Sequence, residues 1–532
     1  MTNVIKIRKA NLDYYGLLTS SVLIVALVSI PIVYLIIRAV SSEDFFELLF
    51  RQRVFFILLR SIFLVISVTL GSTLISFFLA HFLVRTNIPF KKFLTVLCCL
   101  PIVIPSYVYG MVFVNILGPK GKFHDLLSSL RITENFPDFY GFWGATIVLT
   151  LLSYPYIFLP LRSAMLRMDS SFEDASRSLG RGRFKTFFYV TFPLLSPALR
   201  SGGLLVALYT LSDFGAVALL RYETFTWAIM TQFEGAFNRV SASVLSLVLV
   251  AIAVLILSSD SFFKGPKSYF SSSSSNRFLK SRNLDYKRWF IFFIICIPPA
   301  MGALFPFAGL LYWLFKGILL GESIIIEFGT IFNSLFVAIL AAAFTLLISC
   351  PITFFAARYK NSISRLIEKI SYIGFGLPSI VIAISFVYFT INFVSPIYQT
   401  LVVLIIGYGV LFLPVAVSSM KTTLLQLNPN LEDASRGLGL GYWSTMWRVT
   451  IPLIMPSILA GALLVFLLTL KELPLTMVLA PLNFDSLSLK VWGFASEAFF
   501  AKAALPSIMI ILLSGPAAAY LVFKRNELDI RG

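Results

Sequence analysis

Apolar residues fill this chain in long runs, each about 20 residues and so long enough to cross the hydrocarbon core of a bilayer. About twelve runs are present, over roughly 15–38, 58–83, 93–117, 140–162, 197–220 and 240–259, then 289–315, 330–357, 367–394, 398–420, 455–480 and 505–524. Each is predicted to be a helix, because a strand isolated in lipid leaves its backbone groups unsatisfied. The expected fold class is an all-α integral membrane protein. Lys and Arg gather at alternate ends of the runs: Lys6, Arg8 and Lys9; Arg85, Lys91 and Lys92; Arg177, Arg181, Arg183 and Lys185; Arg358, Lys360, Arg365 and Lys369; Lys524 and Arg525. The other intervals are mixed or acidic, with Glu43, Asp44 and Glu47, then Glu223 and Glu234, then Glu322 and Glu327. By the positive-inside rule both termini are expected in the cytoplasm.

One polar interval occurs twice. Asp169 to Pro197 aligns without a gap on Asn428 to Pro456, pairing Glu173 with Glu432, Ala175 with Ala434, Gly180 with Gly439 and Pro193 with Pro452. Each copy predicts a helical stub of about ten residues. Asp169 or Asn428 can accept from the free N–H groups of the first turn, Pro429 suits the first helical position, and Glu173 with Asp174 suits the positive end of the helix dipole. Gly180 and Gly439 suit a left-handed stop. Phe172, Ala175 and Leu179 share one face, as do Leu431, Ala434 and Leu438.

The register extends beyond the stubs. Leu204 to Asp213 meets Leu463 to Glu472, Ser61 meets Ser334, Arg85 meets Arg358, and Leu100-Pro101 is set against Leu377-Pro378, leaving extra residues in the first half near Gly118 to Asp138. The expected organisation is therefore two parallel six-helix repeats, 1–259 and 289–532, joined by a cytoplasmic linker over 260–288 whose serine run, Ser271 to Ser275, suits a flexible segment.

Composition sharpens this picture. The chain is 58% hydrophobic and 13% charged, against about 25% charged in ordinary soluble domains. A net charge of +18 is scattered between apolar runs with no nucleic-acid motif, so membrane topology explains it and no nucleic-acid partner is expected. Cys98, Cys99, Cys296 and Cys350 form no ligand pattern, and the first run reads as an uncleaved anchor. Gly118 to Phe123 (GPKGKF) lacks the spacing of a phosphate loop, and His81 and His124 are too few for a histidine site. No catalytic residues and no resident cofactor are expected.

Glu-Asp-Ala-Ser-Arg, a Gly three residues later, and Phe-Pro-Leu or Ile-Pro-Leu about a dozen residues further resemble the EAA loop of prokaryotic ABC-importer permeases. Two copies in one chain, with TLSDFGAVALLRYETFTWAIMTQFEGAFNR and KELPLTMVLAP after them, are similar to the fused permeases of the ferric-iron importer family. The resemblance implies a type I ABC importer permease fold in a bacterial inner membrane. It implies coupling helices at about 169–180 and 428–439, resting on two copies of an ATPase subunit that holds ATP and Mg. Phe172, Ala175 and Leu179, with Leu431, Ala434 and Leu438, would fill the ATPase grooves, Glu173 and Glu432 would carry the charged contact beside Asp174 and Asp433, and Gly180 and Gly439 would close the helices. An extracytoplasmic iron-binding protein would deliver the cargo.

Asp213 and Glu472 occupy equivalent positions, and ionisable groups at membrane depth mark ion paths; with Tyr222 and Glu223 they are candidate oxygen contacts for a hard cation such as ferric iron. The alternative is that they pair with Arg221, Lys471 or the docking protein. Thiamine, polyamine or phosphonate cargo stays open, as does an ion-gradient-driven secondary transporter. The stubs also have a plainer reading as amphipathic helices lying on lipid.

Overall fold

Wherever the chain offers a long apolar run it folds as helix, and the breaks fall where proline or a polar cluster interrupts it. The computed structural model describes residues 2–40, 45–119, 121, 128, 129, 139–166, 168, 169, 171–235, 239–262, 283–325, 327–359, 361–372, 374, 377–428 and 430–531, with side chains except at 2–13, 39, 40, 239, 259–262 and 521–531. The first repeat supplies α1 (Thr2–Val40), α2 (Gln52–Arg85), α3 (Lys91–Val103), α4 (Ser106–Leu117), α5 (Phe142–Leu166), the stub α6 (Ser171–Ser178), α7 (Arg183–Ser212), α8 (Gly215–Leu219) and α9 (Arg239–Phe262). The second supplies their counterparts in order: α10 (Lys287–Leu319), α11 (Phe328–Arg358), α12 (Ser362–Ser371), α13 (Ser379–Phe393), α14 (Leu401–Gln426), the stub α15 (Asn430–Gly437), α16 (Tyr442–Leu470), α17 (Pro474–Leu479) and α18 (Phe500–Arg531).

Among the described residues ten helices are long and apolar enough to cross a membrane, and α3 with α4, bent by 98°, makes an eleventh. The span expected over 93–117 is thus broken. Ile104 before Pro105 is held extended by its neighbour's ring, and Pro105 then starts α4. The span expected over 367–394 divides into α12 and the 15-residue α13, which Pro378 starts in the same way. Pro105 and Pro378 are therefore the structural counterparts, and setting Pro101 against Pro378 misplaced the register; Pro101 lies inside the last turn of α3. The spans expected over 197–220 and 455–480 also shift, because α7 and α16 begin at Arg183 and Tyr442 and end just before Asp213 and Lys471. The linker proposed over 260–288 and the insertion near 118–138 lie largely outside the described residues, as does Pro429.

Two compact units interleave the repeats. One comprises Met1–Phe46, Arg239–Leu247 and Ile326–Lys490; the other comprises Glu47–Asn238, Val248–Ile325 and Val491–Gly532. In the first, α1 packs on α11, α12 and α13, with the Tyr34 and Tyr388 rings 4.5 Å apart and Asn361 donating to the Tyr14 hydroxyl at 3.2 Å. In the second, α10 packs on α4, where Trp313 Nε1 donates to Asn115 Oδ1 at 2.6 Å. The first helix of each repeat therefore completes the unit built on the other repeat's core.

Each unit is centred on a helix triangle, α2–α5–α7 in one and α11–α14–α16 in the other. Small residues allow close packing where no water is available to drive association. A Cβ on Gly202 of α7 would meet the Ile157 Cα at 2.7 Å, and one on its counterpart Gly461 would collide with the Ser419 hydroxyl. Between α2 and α5, Ser72 shares a hydrogen bond with Ser153 at 3.1 Å and Ser76 donates to the Tyr154 carbonyl at 2.7 Å.

Candidate functional site

An eight-residue helix has too few internal hydrogen bonds to persist alone, so both stubs depend on their ends and on neighbours. At the start, Asp169 accepts from the Ser171 N–H at 2.9 Å and Asn428 from the Asn430 N–H at 3.1 Å. At the end, Gly180 and Gly439 take positive φ, +79° and +90°. Their N–H groups bond the carbonyls of Arg177 and Arg436, while those of Arg181 and Leu440 reach back to Ser176 and Ser435, the paired closure of a Schellman motif.

The inward face is polar. Glu173, 5% exposed, receives both terminal nitrogens of Arg85, the last residue of α2, at 2.6 and 3.0 Å, and the Thr191 hydroxyl at 2.6 Å. In the second copy Arg358 at the end of α11 donates to Glu432, and Thr450 does so at 2.9 Å. A further tie repeats as well: Ser176 with Thr186 at 3.2 Å, and Ser435 with Thr445 at 3.0 Å. Thr191 and Thr450 each end a wide i→i+5 turn, Phe187–Thr191 and Met446–Thr450, a rare feature that gathers at functional sites. Burial opposes the charge on Glu173, but hydrogen bonds from Arg85 and Thr191, with the positive charges of Arg85 and Arg177, outweigh it and hold the carboxyl below its usual range.

The outward face is apolar, the reverse of an ordinary surface helix. Phe172 and Leu179 are 56% and 81% exposed, and Leu431 and Leu438 are 48% and 86% exposed, with Ala175 and Ala434 exposed between them. Asp174 and Asp433 are exposed beside this strip. In each stub the three expected apolar positions therefore stand on an open face, whereas Glu173 and Glu432 turn into the chain and leave Asp174 and Asp433 as the acidic groups on the surface. Arg85, Arg358 and the threonines were not singled out as site residues. The signal was available, since Ser176, Thr186 and Thr191 recur in register as Ser435, Thr445 and Thr450.

The path candidates are placed differently. Asp213 is buried and accepts from the Ala216 N–H at 3.0 Å in the first turn of α8, and Glu472 accepts from the Leu475 N–H at 3.5 Å in α17. Glu223 is held by Arg53 at 2.7 Å and Arg60 at 3.3 Å, and the Tyr222 hydroxyl donates to the Arg60 carbonyl at 3.1 Å. Tyr222 and Glu223 thus meet at Arg60, while Asp213 and Glu472 belong to separate units. Among the described residues no group of three or more His, Cys, Asp and Glu side chains is placed to hold a metal ion.

The family described as binding-protein-dependent transport system inner membrane component matches residues 72–264 and 349–523. The Fe(3+)-transport system permease protein FbpB 2 of Haemophilus influenzae is 34% identical over 494 residues, covering 91% of this chain and 94% of that protein. The ferric transport system permease protein FbpB of Actinobacillus pleuropneumoniae is 26% identical over 68% of this chain and 55% of its own length. The molybdenum transport system permease protein ModB of Escherichia coli is 30% identical over 192 residues, 34% of this chain.

Proposed function

Since the chain belongs to the family of binding-protein-dependent transport system inner membrane components, we propose that it is the fused permease of an ATP-driven importer whose cargo is ferric iron. The observation that carries the coupling role is the duplicated stub that turns its glutamate inward, onto an arginine and a threonine, and exposes its apolar face. Such a face costs free energy in water and suits a complementary protein groove. Two copies in one chain suit two copies of an ATPase subunit. The cytoplasm is the side where Lys and Arg concentrate, and both termini are assigned to it with the stubs.

Iron is favoured over other cargo because the likeness to a ferric permease runs through both repeats, whereas the molybdenum permease matches a stretch the size of one. In this reading a separate binding protein delivers iron on the outer face. ATP-driven closure of the ATPase pair moves α6 and α15, and through them the helix triangles, so that the membrane path opens alternately to either side. Asp213 and Glu472 are proposed as carboxylates along that path, supported by the burial of Asp213, the half-burial of Glu472 and their equivalent places after α7 and α16. Reconstitution into liposomes tests the whole: ferric uptake should require the ATPase, ATP and loaded binding protein together. Uptake driven by a proton or sodium gradient alone would overturn it.

A further inference from the structure

Each stub is fastened to all three helices of one triangle. α5 leads into α6 along the chain, Arg85 at the end of α2 grips Glu173, and Thr186 and Thr191 at the start of α7 hold Ser176 and Glu173. The second unit repeats this with α14, Arg358 of α11, and Thr445 and Thr450 of α16. Without the side-chain ties each stub would be tethered to its triangle by its two chain connections alone. A push on it would then be taken up by bending of those connections.

Two features argue that these ties serve more than stability. A buried ion pair repays its desolvation only when every polar atom is satisfied, yet the Nε of Arg85 and the Nε of Arg358 are both buried without a partner among the described residues. The same imperfect arrangement nevertheless occurs twice, with each arginine closing a helix whose C-terminal dipole favours a cation there.

We infer that Arg85–Glu173–Thr191 and Arg358–Glu432–Thr450 are mechanical latches, in which the arginines and threonines are positioning residues that make α2 and α7, or α11 and α16, move with the stub. This rests on the coupling reading above. It places Glu173 and Glu432 in the transmission of force within the permease.

The test uses the full chain with its ATPase and loaded binding protein in proteoliposomes. Arg85→Gln combined with Arg358→Gln should leave the ATPase bound and hydrolysing ATP while iron uptake per ATP falls about tenfold, within the usual range of coupling effects. Arg85→Lys with Arg358→Lys should recover part of that loss. Thr191→Val with Thr450→Val keeps the ion pairs and nearly the same shape, and should shift uptake per ATP in the same direction even where the arginine variants fold poorly. Unchanged uptake per ATP in the threonine variant and in folded arginine variants, or release of the ATPase by the arginine changes, would overturn the latch. Amide exchange of residues 171–178 in the permease alone should rise in the arginine variant, and unchanged exchange would also overturn it. The coupling reading has its own control. Phe172→Asp with Leu431→Asp should lose the ATPase, and full association and uptake there would sink that reading without touching the exchange result.

Discussion

Arg85 holds Glu173 through both terminal nitrogens of its guanidinium, at 2.6 and 3.0 Å, and this grip fixes how the stub responds to acid. The Glu173 carboxyl is held below its ordinary value in the folded chain. Its contribution to stub stability is therefore complete above the unfolded carboxyl's pKa and is lost as pH falls through the lower folded value. Amide protection across residues 171–178, taken as exchange relative to the intrinsic rate at each pH, is expected to stay high at neutral pH and to fall on acidification. Glu173→Gln should show low protection throughout and lack the step, whereas an identical pH step in that variant would assign the transition elsewhere.

The contact of Gly202 with Ile157 makes a packing prediction. Gly202→Ala should lower thermal stability in detergent by about 1–3 kcal/mol, the usual cost of overpacking, because the added methyl meets backbone. Gly203→Ala is the control, since its methyl would find only Thr69 Cγ2 at 3.6 Å. Equal melting temperatures for the two would mean that α5 and α7 are not seated this closely.

Asp213 separates capping from cargo contact. Asparagine caps a helix about as well as aspartate, so Asp213→Asn should preserve the bond from the Ala216 N–H and change folding stability by less than about 1 kcal/mol. Ferric uptake should nevertheless fall, because the charge on the proposed path is gone. Uptake equal to that of the unaltered protein would leave Asp213 as a cap alone.

Much of this architecture was legible because membrane helices announce themselves by length and apolarity. The stub limits were also readable, since Gly180 and Gly439 can stop a helix where other residues resist. Interleaving of the repeats was not, because α1 and α10 present lipid-compatible residues on every side and nothing in their pattern says which core they join. Pro105 inside its apolar run reads as a kink, but the continuity of the run gives no sign of a bend as sharp as 98°. The charged contact expected of Glu173 came from the family resemblance, and the local pattern of the stub does not show that this side chain turns inward. Its partner Arg85 lies 88 residues earlier, at a distance that local periodicity does not sense.

The apolar face of the stubs is the seat on which everything else turns, and cysteine labelling tests it most directly. With Cys98, Cys99, Cys296 and Cys350 replaced by Ser, Phe172→Cys and Leu431→Cys would be exposed in turn to a membrane-impermeant maleimide in vesicles of each orientation. The expected result is labelling from the cytoplasmic side only, and protection when the ATPase subunits are bound. Labelling from the outer side, or equal labelling with and without the ATPase, would contradict the assignment.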